Sequence, residues 1–80
     1  MEENEIRAKV VKVITEKLGV DESKIVDSAE YIKDLGADSL ALVDIAMAFE
    51  DEFGVKIPDE DLGKIDTVGK TISYIKEHLS

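Results

Sequence analysis

Residues 39–53 read SLALVDIAMAFEDEF, and this segment limits what the chain can fold into more than any other. On a helical wheel of about 100° per residue, Leu42, Ile45, Ala46, Phe49 and Phe53 gather within roughly a 100° arc. That is the width of an ordinary core face. Leu40, Val43 and Met47 fall on nearly the opposite side, with Asp44 and Asp51 along one edge of this second stripe and Glu50 along the other. A helix with apolar side chains on two faces needs two coverings. One is the core of its own domain. The other is either a further part of the chain or a separate molecule, and the wheel leaves both open. The acids favour a separate molecule, because a loop laid over the strip would press its backbone against several carboxylates.

The remaining segments are also helical in period. Ile6, Val10, Val13 and Ile14 recur at helical spacing, which predicts a first helix from about Glu3 to Leu18. Glu2, Glu3 and Glu5 suit its positive end, Lys17 suits its negative end, and Gly19 is a C-terminal cap. Residues 20–37 form a long connection with apolar residues (Val20, Ile25, Val26, Tyr31, Ile32, Leu35) at no clean period. They predict a loop that packs on the core. The second helix runs from Ser39 to Phe53 and stops at Gly54. Val55–Pro58 is an extended link, since the residue before a proline disfavours helix. PDEDL then starts a short helix with Pro58 in its first position. Thr67 caps a last helix that buries Val68, Ile72, Ile75 and Leu79. No alternating strand pattern or internal repeat is present. The expected fold is all-α: one domain spanning residues 1–80, a small four-helix bundle of three longer helices and one short, with a long loop between helices 1 and 2.

Charge narrows the partners. The chain carries 19 acids against 10 bases, a net charge of −9. Residues 34–62 hold nine of those acids and a single base, Lys56, so nearly all the excess sits in one segment. Nucleic acid and anionic membrane surfaces are poor partners for such a chain, and basic protein surfaces are good ones. The longest unbroken apolar run, Ile45 to Phe49, is far too short to span a bilayer, so no membrane insertion is expected. The acidic start, MEENEIRAK, does not resemble a secretory or transit signal, which leads to a cytoplasmic expectation.

The chemistry available to the chain is sparse. There is no cysteine, hence no thiol nucleophile and no zinc cage of the usual kind. The one histidine, His78, lies at the end of the last helix, and no GxSxG elbow surrounds Ser39. DEDLG at 59–63 departs from a calcium loop at Gly63 and Lys64. No metal site is expected and no catalytic residue stands out. Ser39 is then either a helix cap or an attachment point. Asp38 is equally suited to capping, and a helix N-terminus favours a phosphate placed beside it.

DLGADSLALVDIAMAFEDEFGVKIPDED, with Asp38-Ser39-Leu40 at its centre, resembles the core of an acyl carrier protein of the discrete, dissociated fatty-acid-synthase type. The resemblance continues through TVGKTISYIKEHL and covers essentially the whole chain. It implies a four-helix bundle that carries 4′-phosphopantetheine on Ser39, transferred from coenzyme A by a phosphopantetheinyl transferase with magnesium. Growing acyl chains would ride on the arm as thioesters and be delivered to the enzymes of fatty acid synthesis. By the same resemblance, Leu40, Val43 and Met47 contact partner enzymes, and Asp38, Asp44, Glu50 and Asp51 meet their basic patches. Leu42, Ile45, Ala46, Phe49, Leu62, Ile65 and Ile75 are candidates to line a pocket for the acyl chain. A monomer that is not itself an enzyme is implied.

One position departs from the pattern. Ala41 follows the Asp-Ser-Leu motif where discrete carriers usually have an acid. That leaves room for a specialised carrier of another acyl, polyketide or aminoacyl cargo, and Phe49 is large enough to favour a short chain. A different class also fits the charge pattern: a cofactor-free acidic helical adaptor that docks on basic surfaces and has no use for the Ser39 hydroxyl.

Overall fold

The computed structural model describes residues 2–79 and contains three α-helices, α1 (Glu3–Leu18), α2 (Ser39–Phe53) and α3 (Val68–Leu79), with 3₁₀ segments at Glu22–Lys24 and Asp59–Ile65. Helix α1 packs against both α2 and α3, and the longer 3₁₀ helix packs on α3 and α2. The fourth, short helix of the bundle is thus the 3₁₀ helix. Ile6, Val10, Val13 and Ile14 of α1 are buried, and α1 closes at Gly19, whose N–H reaches the Thr15 carbonyl at 3.0 Å. Among the described residues the only β-type pairing is an isolated bridge between Glu30 and Thr67.

The long connection packs on the core, as its apolar content predicts, but only part of that content turns inward. Ile25, Ala29, Tyr31, Leu35 and Ala37 are buried, Val20 is half-buried, and Val26 and Ile32 face solvent. The loop is fixed through its backbone to the start of α3. Tyr31 N–H donates to the Asp66 carbonyl, Val68 N–H to Ala29 and Gly69 N–H to Asp27, at 3.2, 3.1 and 2.9 Å. A Cβ on Gly69 would lie 3.1 Å from the Asp27 carbonyl oxygen, so glycine permits this approach. The Asp27 carboxylate also pairs with the Arg7 guanidinium of α1, which ties the loop to a second helix and holds that carboxyl below the usual carboxylate range.

Two expectations at helix ends are corrected. Pro58 is not the first residue of the short helix. It stands just before it as the cap, with extended backbone (φ −61°, ψ 152°), and the following turns are 3₁₀. A seven-residue run with Gly63 in its interior gains little from α geometry, and tight i→i+3 bonding suffices. Leu79, in the last turn of α3, is only half-buried, packed against the edge of the core. Helix α3 instead buries Thr71 and Tyr74 beside Val68, Ile72 and Ile75. Thr67 caps it as expected, its Oγ1 accepting from Lys70 N–H at 3.2 Å.

At the centre lie Tyr31, Phe49, Ile6, Ile14, Ile45, Ile65 and Ile75, all fully buried. The Tyr31 hydroxyl meets Thr71 Oγ1 at 2.6 Å, and that oxygen also lies 2.8 Å from the Thr67 carbonyl. Thr71 has one proton, and the carbonyl can only accept. Both contacts are satisfied when Tyr31 donates to Thr71 and Thr71 donates to Thr67. A polar group from the loop is thereby accommodated inside an apolar core.

Candidate functional site

Two features fix the entry to α2. Gly36 turns the chain with φ 74°, and Ala37, buried just after it, donates its N–H to the Tyr31 carbonyl at 2.8 Å. Asp38 then takes extended backbone, and its Oδ1 accepts the Ala41 N–H at 2.8 Å. Asp38 is therefore the cap. Ser39, the first residue of the helix, is exposed. Of the two capping assignments open from sequence, this one leaves the serine oxygen facing solvent at the positive end of a 15-residue helix. Backbone N–H groups and the helix dipole both favour negative charge there. An exposed hydroxyl so placed suits the chemistry of a phosphodiester.

The two stripes of α2 separate in the fold. Ile45, Ala46, Phe49 and Phe53 are buried. Leu40, Val43 and Met47 are exposed by 81%, 37% and 58%, so the described residues leave the second stripe open, most at Leu40 and least at Val43. Ala41, Leu42 and Ala48 are half-buried against the core edge. Position 41 therefore sits partly against the core rather than fully on the exposed stripe.

The acids around the stripe have different surroundings. Asp38 spends one carboxylate oxygen on the cap. Asp44 faces Lys17 of α1, with Oδ2 and Nζ 3.6 Å apart. Glu50 is half-buried, and its Oε2 accepts the Ile57 N–H at 2.7 Å. Asp51 is exposed. The four acids that the family resemblance groups together, Asp38, Asp44, Glu50 and Asp51, thus differ in how far their carboxylates are already engaged. Lys12 and Lys17 of α1, which the sequence did not attach to this face, line a groove of about 330 Å³ together with Glu16, Asp44, Met47, Asp51 and Glu52. Their signal was present in the helical spacing of α1, but its register against α2 is a tertiary property.

The expected lining of an acyl pocket is packed core. Ile45, Ala46, Phe49, Ile65 and Ile75 are buried, and Leu42 and Leu62 are half-buried against the same cluster. These side chains do converge from α2, the 3₁₀ helix and α3. A second groove, of about 570 Å³, lies on α1 around Arg7, Val11 and Thr15. Among the described residues no three His, Cys, Asp or Glu side chains are grouped to hold a metal ion. His78 stacks on Tyr74 with ring centroids 4.0 Å apart, and its Nδ1 lies 2.8 Å from the Tyr74 carbonyl.

Known proteins match this geometry. Residues 8–75 match the family model described as a phosphopantetheine attachment site. The chain is 60% identical to the acyl carrier protein of Thermotoga maritima over 75 residues, which is 94% of this chain and 93% of that one. It is 50% identical to the acyl carrier protein of Zymomonas mobilis over 70 residues, 88% and 90% of the two chains. Among solved structures, a thermally stable acyl carrier protein from Enterococcus faecalis superposes with a TM-score of 0.82 at 36% identity, covering 98% of this chain and 99% of that one. The family's group is a covalently held 4′-phosphopantetheine, and an exposed serine oxygen at a helix N-terminus is chemically fit to bear it. Sequence, fold and site chemistry agree over nearly the full length, and the chain belongs to the acyl carrier proteins.

Proposed function

We propose that Ser39 Oγ carries the 4′-phosphopantetheine arm, and that the loaded protein presents acyl groups to the enzymes of fatty acid synthesis. The observation that carries this reading is the Asp38 cap. Its bond to Ala41 N–H takes up one of the first N–H groups of the helix and leaves Ser39 on the surface where a phosphate is favoured. When bound, the arm supplies a thiol for thioester chemistry that a cysteine-free chain lacks. The protein's own residues do the rest. Asp38 and Gly36 hold the attachment point on a rigid helix end. Leu40, Val43 and Met47 offer apolar contact area, with Asp44 and Asp51 beside them to draw basic surfaces. The chain acts as a carrier and leaves catalysis to its partners.

Intact mass after incubation with coenzyme A, magnesium and a phosphopantetheinyl transferase tests the assignment. One added arm is expected on the wild type and none on Ser39→Ala. An unmodified wild type under several transferases would sink it. Full biological activity of Ser39→Ala would favour the cofactor-free adaptor instead. The absence of an acid at position 41 leaves room for a second reading in detail, a carrier serving one specialised pathway. Thioesters profiled on protein isolated from its source distinguish that cargo from fatty acyl chains.

A further inference from the structure

We propose that Lys17 is an internal competitor for the docking face of α2: its ammonium occupies the Asp44 carboxylate that a basic partner must engage, and so weakens and tunes partner binding. The inference rests on the docking role of α2 proposed above and adds a residue from α1 to it.

Lys17 lies in the last turn of α1, where the negative end of the helix favours a cation whether or not Asp44 is present. Its Nζ is 3.6 Å from Asp44 Oδ2. The two side chains remain 41% and 61% exposed, so the pair is solvated and breakable. Lys12, Met47 and Asp51 line the same groove. The acid rim of the exposed stripe thus has unequal edges. On one, Lys17 of the same molecule already stands against Asp44, in a groove that also holds Lys12 and the acids Glu16, Asp51 and Glu52.

A partner's Arg or Lys approaching Asp44 meets Lys17 within a few ångströms, well inside the screening length of about 8 Å at physiological salt. It must displace the ammonium or share the carboxylate with it. Either way the protein's own cation opposes the partner's. Lys17 therefore sets how strongly basic a partner patch must be, which makes it a specificity determinant rather than a supporting contact.

The experiment measures the KM of a phosphopantetheinyl transferase for the apo-protein across a Lys17 charge series, alone and in an Asp44→Asn background. Lys17→Gln should lower KM by about two- to fivefold, the range of an exposed ion pair, with the change in KM rather than kcat. Lys17→Glu should lower it further, and Lys17→Arg should leave it near the wild-type value. Raised salt should erase the differences, and so should Asp44→Asn. If Asp44→Asn raises KM but Lys17→Gln leaves it equal or higher, docking on α2 stands and the competitor role is wrong. An equal gain from Lys17→Gln with and without Asp44 would overturn the pairing in favour of a general charge effect. If neither Asp44→Asn nor Met47→Ala changes KM, the docking reading itself fails, and the competitor role with it.

Discussion

The Glu50 carboxylate holds the backbone N–H of Ile57 at 2.7 Å, joining the last turn of α2 to the link that leads into the 3₁₀ helix. Ile57 is buried, so this bond settles both the amide and the position of a core side chain. An acid that looks like one more surface charge on α2 is a brace. Glu50→Gln keeps an acceptor oxygen and should lose little stability. Glu50→Ala should cost about 1–2 kcal/mol and speed hydrogen exchange at the Ile57 amide. Denaturant unfolding and amide exchange by NMR check both. Equal losses in the two variants would mean that charge, and not the acceptor, is what matters.

The Tyr31–Thr71 pair predicts an asymmetry between its two halves. Tyr31→Phe removes a donor and leaves Thr71 still bonded to the Thr67 carbonyl, for a cost of about 1 kcal/mol. Thr71→Val strands the Tyr31 hydroxyl in the core and should cost about 2–3 kcal/mol. The double variant should be less destabilised than the sum, which a double-mutant cycle measures directly.

Both tyrosines of the chain should resist ionisation while it is folded. Burial pushes the Tyr31 phenol up. Burial, with the Asp61 carboxylate 2.7 Å from the Tyr74 hydroxyl, pushes Tyr74 up to about 12. A folded pKa above the unfolded value of about 10 means the neutral phenol is favoured by folding. That stabilisation is complete below pH 10 or so and is lost as the pH rises toward the folded values. Phenolate absorbance should therefore appear together with loss of helical circular dichroism. Titration near pH 10 with the helices intact would contradict it. On the acid side, the same contact holds Asp61 below its ordinary range, so Tyr74→Phe should remove stability present above about pH 4.

From Asp38 to Phe53 the chain carries five acids and no base. Lys17 faces Asp44 across a solvated 3.6 Å gap, while Asp51 and Glu52 follow one another toward the helix's negative end. Like charges so placed oppose folding by a few tenths of a kcal/mol each at low salt. The melting temperature should rise with added sodium chloride, and more steeply with magnesium chloride. Calorimetry across a salt series measures it, and a flat curve would mean that the α1 lysines already neutralise this face.

Much of the architecture was legible in local pattern. Apolar spacing predicts the bounds of α1 and α2, Gly19 and Gly54 end them at positive φ, and Thr67 starts α3. The loop before α2 was harder, because its apolar residues follow no period. Nothing local distinguishes buried Ile25 from exposed Val26. The backbone bonds to Asp66, Val68 and Gly69 decide that, and they join residues about forty positions apart.

The helices, the two stripes of α2, the concentration of acids around it and the serine at its start follow from local sequence, because each depends on neighbours within a turn or two. Tertiary structure decided the rest. It left Leu40, Val43 and Met47 uncovered, made Asp38 the cap rather than Ser39, turned Glu50 onto Ile57 and set Lys17 beside Asp44. Helix register and loop course are set by packing over the whole core. Which carboxylate is a brace, which is paired and which is open to a partner therefore becomes definite only once α1, α2 and the links between them are in place.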